Sequence, residues 1–311
     1  MILVAGSANL DFVVRAPRVP QSGETVLGHD FKTYPGGKGA NQAIACARAG
    51  GVETEMLLAL GDDAFAVPIE ASLKSAGVRL HTQRVADQPT GTAFICVSDN
   101  AENAITVAPG ANSCLSEAHL PSLQGVSHLL LQLEIPLLTV IAYARRARAQ
   151  GVAVVLNAAP AQELPPELLS VIDVLVVNEM ELMGIARNGQ DIATRLSQIN
   201  VPAIVVTLGL RGCVARIGGR FFAQPAFPVE PIDTTAAGDT FCGVLTAALS
   251  GKLSMQDALT RASAAGALAC TRRGAQDSIP TERAVRALLK ASAVTDQPQH
   301  LALRHYAGIR T

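Results

Sequence analysis

The segment 233–241, Asp-Thr-Thr-Ala-Ala-Gly-Asp-Thr-Phe, combines acidic side chains with very small residues. Ala236, Ala237 and Gly238 leave their backbone N–H groups uncovered at the predicted start of a helix. Uncovered N–H groups and the positive end of a helix dipole together bind anions. An anion bound here would repel the Asp239 carboxylate. We therefore expect an acidic residue at this position only if it has a functional role. A base that takes a proton from a hydroxyl, while the hydroxyl attacks a phosphate, needs this position.

A second turn, residues 36–41, reads Gly-Gly-Lys-Gly-Ala-Asn and leads into a helical pattern. Glycines let the backbone approach a ligand closely. Lys38 adds a positive charge, and Asn41 can both donate and accept hydrogen bonds. The spacing is neither a Walker A motif nor a dinucleotide-binding G-x-G-x-x-G. A glycine-rich turn without function is the alternative interpretation.

Three polar side chains follow apolar runs that we interpret as strands. Asn9 and Asp11 alternate along the chain, so both can face one cleft and bind the vicinal hydroxyls of a sugar. An Asx turn explains the same pair without a ligand. Glu134 ends an apolar run and is either a neighbour of a helix N-cap or a ligand contact.

Two further patterns suit a nucleotide with its metal. Asn178 and Glu181 are three residues apart in the first turn of a predicted helix, and their oxygens suit Mg²⁺. Ordinary charge matching at a helix N-terminus is the alternative. The segment 207–212, Thr-Leu-Gly-Leu-Arg-Gly, turns sharply on two glycines and could let a nucleotide lie against the backbone. A strand-to-strand hairpin is compatible with the same residues.

The elements that would position these residues alternate along the chain. After residue 125, strands alternate with helices, which predicts a parallel sheet covered on both faces. In such sheets, ligands bind beyond the carboxyl ends of the strands. Strands are predicted at 2–5, 56–60, 93–98, 104–108, 128–132, 152–157, 172–177, 203–208 and 213–217. Helices are predicted at 38–50, 64–76, 137–149, 179–186, 191–199, 237–250, 255–271 and 281–292.

Two stretches, about 10–34 and 90–108, carry short β-like runs that do not fit strand–helix–strand units. Together they could form a small sheet that covers the cleft as a lid, because chemistry that must exclude water commonly needs one. An antiparallel edge hairpin is the alternative. We predict one catalytic domain over 1–293 with these segments inserted. A tail follows over 294–311, which we expect to be peripheral or partly ordered.

Composition excludes several functional classes. The chain has 311 residues, a net charge of −1 and a hydrophobic fraction of 49%. Because the net charge is close to zero, we do not expect an overall electrostatic field that would attract nucleic acid or a membrane surface. No apolar run approaches the ~20 residues of a membrane span, and the start does not resemble a signal peptide. The six cysteines are dispersed, which suggests reduced thiols in a cytoplasmic protein.

Taken in order, these motifs resemble the ribokinase family of carbohydrate kinases, also called the PfkB group. The resemblance covers roughly residues 1–290. Four further segments share it: Asn9-Leu10-Asp11, Gly23-Glu24-Thr25-Val26, Asn157-Ala158-Ala159-Pro160-Ala161 and Arg272-Arg273-Gly274-Ala275-Gln276. The resemblance implies a three-layer α/β/α fold with a mostly parallel sheet and a small β-sheet lid. In that family the lid often forms a homodimer.

The resemblance also implies roles for individual residues. Asp239 corresponds to the catalytic base, and the backbone of Ala236, Ala237 and Gly238 to an anion hole. The implied sugar contacts are Asn9, Asp11, Gly37, Lys38, Gly39, Asn41 and Glu134. The implied ATP contacts are Asn178, Glu181, Thr207, Gly209, Arg211, Gly212, Gly238 and Ser263, with Glu181 acting on Mg²⁺ indirectly. The implied K⁺ ligands, several of them backbone carbonyls, are Asp233, Thr235, Ala269, Arg272, Gly274 and Ser278.

The implied activity is transfer of the γ-phosphate of ATP to the primary hydroxyl of a pentose, with D-ribose as the first expectation. Deoxyribose, a nucleoside or another carbohydrate acceptor stays open, as does a sugar-binding protein without catalysis. Ser263 stands where this family often has a larger polar residue near the adenine, and Thr235 where it often has an apolar one. A dehydrogenase is disfavoured because no G-x-G-x-x-G follows the first strand.

Overall fold

The computed structural model describes residues 1–100, 102–292 and 297–309, which form two β-sheets and the helices around them. The strands are β1 (Ile2–Ala5), β2 (Asn9–Ala16), β3 (Asp30–Gly36), β4 (Thr54–Gly61), β5 (Arg79–Val85), β6 (Gly91–Ser98), β7 (Asn103–Ala108), β8 (His128–Leu131), β9 (Ala153–Asn157), β10 (Val174–Asn178), β11 (Ala203–Thr207), β12 (Cys213–Ile217) and β13 (Arg220–Gln224). The helices are α1 (Lys38–Ile44), α2 (Ala66–Ser75), α3 (Leu137–Ala149), α4 (Pro166–Leu169), α5 (Glu179–Ile185), α6 (Ile192–Gln198), α7 (Ala237–Ser250), α8 (Met255–Ala269), α9 (Glu282–Ala291) and α10 (Gln297–Tyr306).

The larger sheet has the order β13-β12-β11-β10-β9-β8-β1-β4-β5 and is parallel from β11 to β5. Strand β1 is buried along its whole length, as expected for a strand covered on both faces. Its side chains alternate: Leu3 joins the core cluster that contains α3, and Val4 joins the one that contains α1, α7 and α8. The predicted three-layer fold is confirmed.

The parallel strands bring most of the candidate residues to one edge. Strands β1, β8, β9, β10 and β11 end within a few residues of Ser7, Glu134, Asn157, Asn178 and Thr207. Because the carboxyl ends of parallel strands share an edge, distant parts of the chain meet there. This edge is the one at which doubly wound sheets bind their ligands.

The smaller sheet has the order β3-β2-β6-β7 and comes from the two stretches set apart in the sequence. Side chains of β2 alternate between its faces. Asp11, Val13 and Arg15 line a cavity of about 500 Å³ between this sheet and the segment 231–235. Phe12 lies on the other face, stacked on Phe94 with 5.3 Å between ring centroids. The predicted second sheet is confirmed.

Some elements were not predicted from the sequence. Strand β5 is a half-exposed edge strand rich in Arg, His, Thr and Gln, so it lacks the apolar run of a buried strand. Strand β13 pairs with β12 through a short turn that contains Gly218 and Gly219. Helices α4 and α10 were also not predicted. Within the described residues, no helix is long and apolar enough to span a membrane.

The C-terminal segment differs from the expectation over residues 297–309. Helix α10 and the residues after it bury Leu303, Ala307 and Ile309 in the core cluster that contains α3. The Ala193 N–H donates to the Ala307 carbonyl at 2.9 Å, which fixes this end to α6. The predicted boundary at 293/294 lies outside the described residues, so the division into domain and tail stays a prediction.

Candidate active site

The glycine-rich turn fits against the corner between β1 and β2. A Cβ on Gly36 would lie 2.1 Å from an Asp11 carboxylate oxygen, and one on Gly39 would lie 2.7 Å from the Ser7 backbone. Gly37 has φ +89°, which side chains rarely adopt. These positions therefore have a steric reason to be glycine. The turn carries Lys38 and Asn41 into the cleft beside Asp11.

Glu134 ties the turn to the end of β8. One carboxylate oxygen accepts hydrogen bonds from the Ser7 hydroxyl at 2.5 Å and from the Lys38 N–H at 3.1 Å. The Ser7 hydroxyl also accepts from the Gly39 N–H at 3.3 Å. The carboxylate thus lies at the N-terminus of α1, where the helix dipole favours negative charge.

Asp239 lies in the first turn of α7, and each of its carboxylate oxygens accepts a hydrogen bond. Asn41 Nδ2 donates to Oδ2 and Gln42 Nε2 donates to Oδ1, both at 2.9 Å. Two hydrogen bonds, one to each oxygen, fix the plane of the carboxylate. The carboxylate is half-buried and held in one orientation.

Several charged groups meet around this point. The pKa of Asp11 is raised to about 7, by burial first and then by the negative charges of Glu134 and Asp239. Asp239 also raises the pKa of Lys38; burial opposes this, while Glu134 and Glu181 add to it. Lys38 is therefore a cation close enough to three carboxylates, those of Asp239, Glu134 and Glu181, to be stabilised by them. The structure brings together the sequence-predicted Asp11, Lys38, Asn41, Glu134 and Asp239.

Replacing Asp11 by Asn should stabilise the unliganded protein increasingly between about pH 4 and pH 7. The pKa of Asp11 is about 7 in the folded protein, whereas its ordinary value is 3.8. Between these two pH values, Asp11 of the folded wild type therefore holds a proton that it loses on unfolding. That stabilisation is complete below the ordinary value and is lost as pH rises through about 7, whereas Asn does not titrate. Urea unfolding across this range measures the effect, with the exposed Asp87→Asn as the control. A stability difference that does not change with pH would contradict it.

Asn9 is buried and has a partner that sequence reasoning missed. Asn112 Nδ2 donates to Asn9 Oδ1 at 2.8 Å, and Asn112 Oδ1 accepts from the Ala8 N–H at 3.0 Å. Gly91 makes room, since a Cβ there would lie 2.2 Å from Asn112 Nδ2. The residues 110–114 form a short 3₁₀ turn after β7, and no local sequence signal links them to β2.

A buried chain of amide side chains behind Asp239 was also missed. Gln42 Nε2 donates to Asn157 Oδ1 as well as to Asp239, and Gln132 Nε2 donates to Gln42 Oε1 at 2.7 Å. Gln42 and Gln132 are fully buried. Among the described residues, Asn41 Oδ1 and Gln132 Oε1 are buried acceptors without a hydrogen-bond partner. A buried polar group without a partner is costly, so Asn41 Oδ1 is available to a ligand hydroxyl.

The start of α7 has an unusual backbone. Ala236, the N-cap, has φ +57°, which is uncommon for a residue with a Cβ. The Ala237 N–H donates to the Thr234 carbonyl at 3.2 Å, and Gly238 is exposed with open space where a Cβ would be. The first N–H groups of a helix have no partner inside it. This turn can therefore accept an anion, and the anion hole at 236–238 stays a prediction.

Asn178 and Glu181 form a capping box at the start of α5. The Glu181 N–H donates to Asn178 Oδ1 at 2.8 Å, and the Asn178 N–H donates to Glu181 Oε2 at 2.7 Å. Burial raises the pKa of Glu181, the hydrogen bond and Lys38 oppose this, and Asp239 adds to it. The pair therefore caps the N-terminus of α5, which the charge-matching alternative did not specify, and the charge of Glu181 still acts on the same cleft.

The loop after β11 lies next to this pair, because Thr207 and Asn178 are neighbours across β11 and β10. Its hairpin is also present: the Leu208 N–H donates to the Gly212 carbonyl at 2.8 Å. Gly212 has φ +108°, and a Cβ there would lie 2.1 Å from the Gln224 carbonyl oxygen. Ser263 is buried in α8, with its Oγ 3.5 Å from Sγ of Cys213, the residue that follows this loop.

The predicted cation ligands come from two segments that are bonded together. Asp233 accepts from the Thr235 N–H and hydroxyl, and from the Gly274 N–H at 3.0 Å. Burial raises the pKa of Asp233, but these hydrogen bonds outweigh it and lower the pKa. The Ser278 hydroxyl donates to the Ala275 carbonyl, and the Arg272 N–H donates to the Ala269 carbonyl. The arrangement offers oxygens beside the start of α7.

Within the described ranges, no three His, Cys, Asp or Glu side chains are placed so that they could hold a metal ion together. A divalent ion held mainly by substrate phosphates and waters needs only one or two carboxylates. Glu181, with one oxygen engaged in the capping box, fits such an indirect role.

Comparison with known proteins identifies the family. The model of the pfkB family carbohydrate kinases matches residues 1–282. The chain belongs to this family. It is 38% identical over 294 residues to the ribokinase of Haemophilus influenzae, covering 91% of this chain and 96% of that protein.

Solved structures of PfkB-family kinases agree with the sequence match. Ribokinase from Thermotoga maritima aligns with a TM-score of 0.86 and 33% identity, over 93% of this chain and 99% of that one. Arabidopsis thaliana ribokinase, solved in complex with ribose and ATP, aligns with a TM-score of 0.85 and 32% identity, over 93% and 98% of the two chains. The family expected from the motifs is confirmed, as is a kinase acting on a sugar hydroxyl.

Proposed function

We propose that this protein is a ribokinase, which transfers the γ-phosphate of ATP to the primary hydroxyl of D-ribose. One observation carries the proposal. Asp239 is oriented by Asn41 and Gln42 at the anion-binding start of α7, and Asp11, Lys38 and Glu134 lie around it. A base, an anion site and sugar-type hydrogen-bonding groups therefore share one cleft. The similarity to ribokinases from three kingdoms of life supports the same activity.

Asp239 accepts the proton of the attacking hydroxyl. The backbone at the start of α7 stabilises the negative charge on the transferring group, and Lys38 adds a positive charge beside the same carboxylate. Positioning and electrostatics supply most of the acceleration in phosphoryl transfer. Mg²⁺, when bound with ATP, neutralises charge on the phosphates, and Asn178 and Glu181 are the residues that would hold it through water.

Asn9, Asp11 and Asn41 recognise the hydroxyls of the sugar. Asn41 Oδ1 is a buried acceptor that lacks a partner among the described residues, and the Asp11 carboxyl group can accept or donate near neutral pH. A neutral polyol satisfies these groups without adding negative charge. The smaller sheet would act as the lid over this sugar, because Asp11 and the cavity residues Val13 and Arg15 belong to β2.

The proposal is tested by measuring ADP release from ATP·Mg²⁺ with D-ribose, 2-deoxyribose and ribonucleosides as acceptors. We expect D-ribose to give the highest kcat/KM, with the product phosphorylated at C5 by NMR. Turnover of a nucleoside but not of free pentose would make the substrate assignment wrong. Binding of ribose without any ADP release would favour a sugar-binding protein.

Potassium should activate the enzyme through the segments that contain Asp233 and Gly274. Replacing K⁺ by tetramethylammonium, an ion too large for such a site, should lower kcat several-fold, because the cation adjoins the anion-binding turn. Asp233→Asn should reduce both kcat and this response, and the exposed Asp87→Asn should leave both unchanged. Rates that do not depend on the cation would show that these residues do not bind one.

The smaller sheet should also join two copies of the protein. Its outer face exposes Phe31 and Phe94 at 60% and 54%, and its edge strand β7 is exposed along its length. Exposed apolar faces and unpaired edges favour association. Phe94→Asp should convert a dimer into a monomer in sedimentation velocity, while Leu138→Asp, on the exposed side of α3, should not. A wild type that sediments as a monomer would refute the dimer.

We further expect the protein to act in the cytoplasm. Its substrates are a sugar and ATP, and all six cysteines, each within a described range, are free thiols. Free thiols persist in reducing compartments.

A further inference from the structure

Helix α10 lies outside the residues that match the family, which end at 282. It is nevertheless part of the folded body. Leu303 and Ala307 are buried in the main core, and the helix packs against β13. The last part of the described chain therefore has a fixed position, and its side chains can contribute to a neighbouring binding site.

Tyr306, at the end of α10, connects two elements of the proposed nucleotide site. The guanidinium carbon of Arg211 lies 4.3 Å from the centroid of the Tyr306 ring, in the geometry of a cation–π contact. The Tyr306 hydroxyl donates to Glu179 Oε1 at 2.6 Å. Arg211 belongs to the loop after β11, and Glu179 is the first residue of α5, next to Asn178. Tyr306 thus links the loop to the capping box.

A cavity of about 430 Å³ lies between α10 and the segment 225–229, which follows β13. Leu210 and Arg211 line it from the loop side, and Phe227 and Tyr306 line it from the others. Leu210 is 86% exposed, so its side chain is free to contact a ligand in this cavity. Apolar and aromatic walls with one cation suit a flat purine base, and the volume is in the range of small-ligand sites.

We propose that α10 forms one wall of the site for the purine base of ATP, and that Tyr306 is a positioning residue for Arg211. The inference rests on the proposed kinase function. The triphosphate would run from this cavity past Thr207 and Asn178 towards the start of α7. Tyr306 holds the Arg211 side chain over the cavity, so its loss should weaken nucleotide binding without changing the sugar site.

Tyr306→Ala and Tyr306→Phe test this, with ADP as the probe in calorimetry and steady-state kinetics for both substrates. In Tyr306→Ala we expect the Kd for ADP and the KM for ATP to rise about 5- to 10-fold, with little change in the KM for ribose. Tyr306→Phe keeps the ring and loses only the link to Glu179, so its effect should be smaller. Leu301→Ala, on the exposed side of the same helix, is the matched control.

Thermal unfolding of each variant separates a local effect from loss of the helix, since only the latter lowers the melting temperature strongly. An ADP affinity in Tyr306→Ala within twofold of wild type would overturn the inference, as would an equal rise in both KM values. In either case a wild type that binds ADP and phosphorylates ribose leaves the proposed function standing. A wild type that does not bind ADP overturns both.

Discussion

Asp239→Asn should lower kcat by at least about 10²- to 10³-fold, because general-base assistance is lost at the reacting hydroxyl. The variant should remain folded. An amide oxygen can still accept one of the two hydrogen bonds from Asn41 and Gln42, although its NH₂ group then faces the other donor. The KM for the sugar should change much less than kcat, since the lost interaction acts in the transition state.

The chain provides a matched control for this substitution. Asp257 is the third residue of α8, as Asp239 is of α7, and both are acids in a first helical turn. Asp257→Asn removes the same charge from an equivalent helix position, with its Ser254 partner nearby. It should leave kcat unchanged. Steady-state rates and thermal unfolding of both variants show whether the loss of activity is specific to Asp239. Near-normal turnover in Asp239→Asn would refute its role as the base.

Gln42→Leu should lower kcat by about 10²-fold, because a displacement of about 1 Å at a reacting group can cost that much. Gln42 is fully buried. It donates to Asp239 and Asn157 and accepts from Gln132, so its loss frees the carboxylate to rotate and leaves two buried amides with fewer partners. The unfolding free energy should fall by about 1–3 kcal/mol for each group left unsatisfied.

A purely structural role of Gln42 predicts the stability loss without the kinetic one. Tyr143→Phe provides that comparison, since it removes a buried hydrogen bond to the Ser116 carbonyl on the other face of the sheet. It should lower stability and leave kcat intact. The pH profile of kcat in Gln42→Leu adds a second readout, because the Asp239 carboxylate loses one of the two donors that orient it. An unchanged profile with normal kcat would exclude positioning.

Local patterns made the central features predictable from the sequence. The apolar runs of β1 and β4 and the small residues before Asp239 each carry their own signal, and so does the capping pair Asn178 and Glu181. Gln42 and Asn112 carry none, because nothing in the neighbouring residues tells whether an amide is buried or which distant group it meets. Tyr306 and Arg211 are far apart in sequence, so only the folded chain reveals their contact. Strand β5 was missed because a polar edge strand lacks the apolar pattern of a buried one.

Asp11 and Asp239 belong to two layers of the fold that could move relative to each other. Asp11 belongs to β2 of the smaller sheet, whereas Asp239 belongs to α7, which covers the larger one. Any rotation of one sheet against the other changes the distance between Asp11, which we propose binds the sugar, and Asp239, which we propose takes its proton. The free energy of that rotation is then part of every measured sugar affinity. A ligand that contacts both groups would therefore hold the two sheets in one relative orientation.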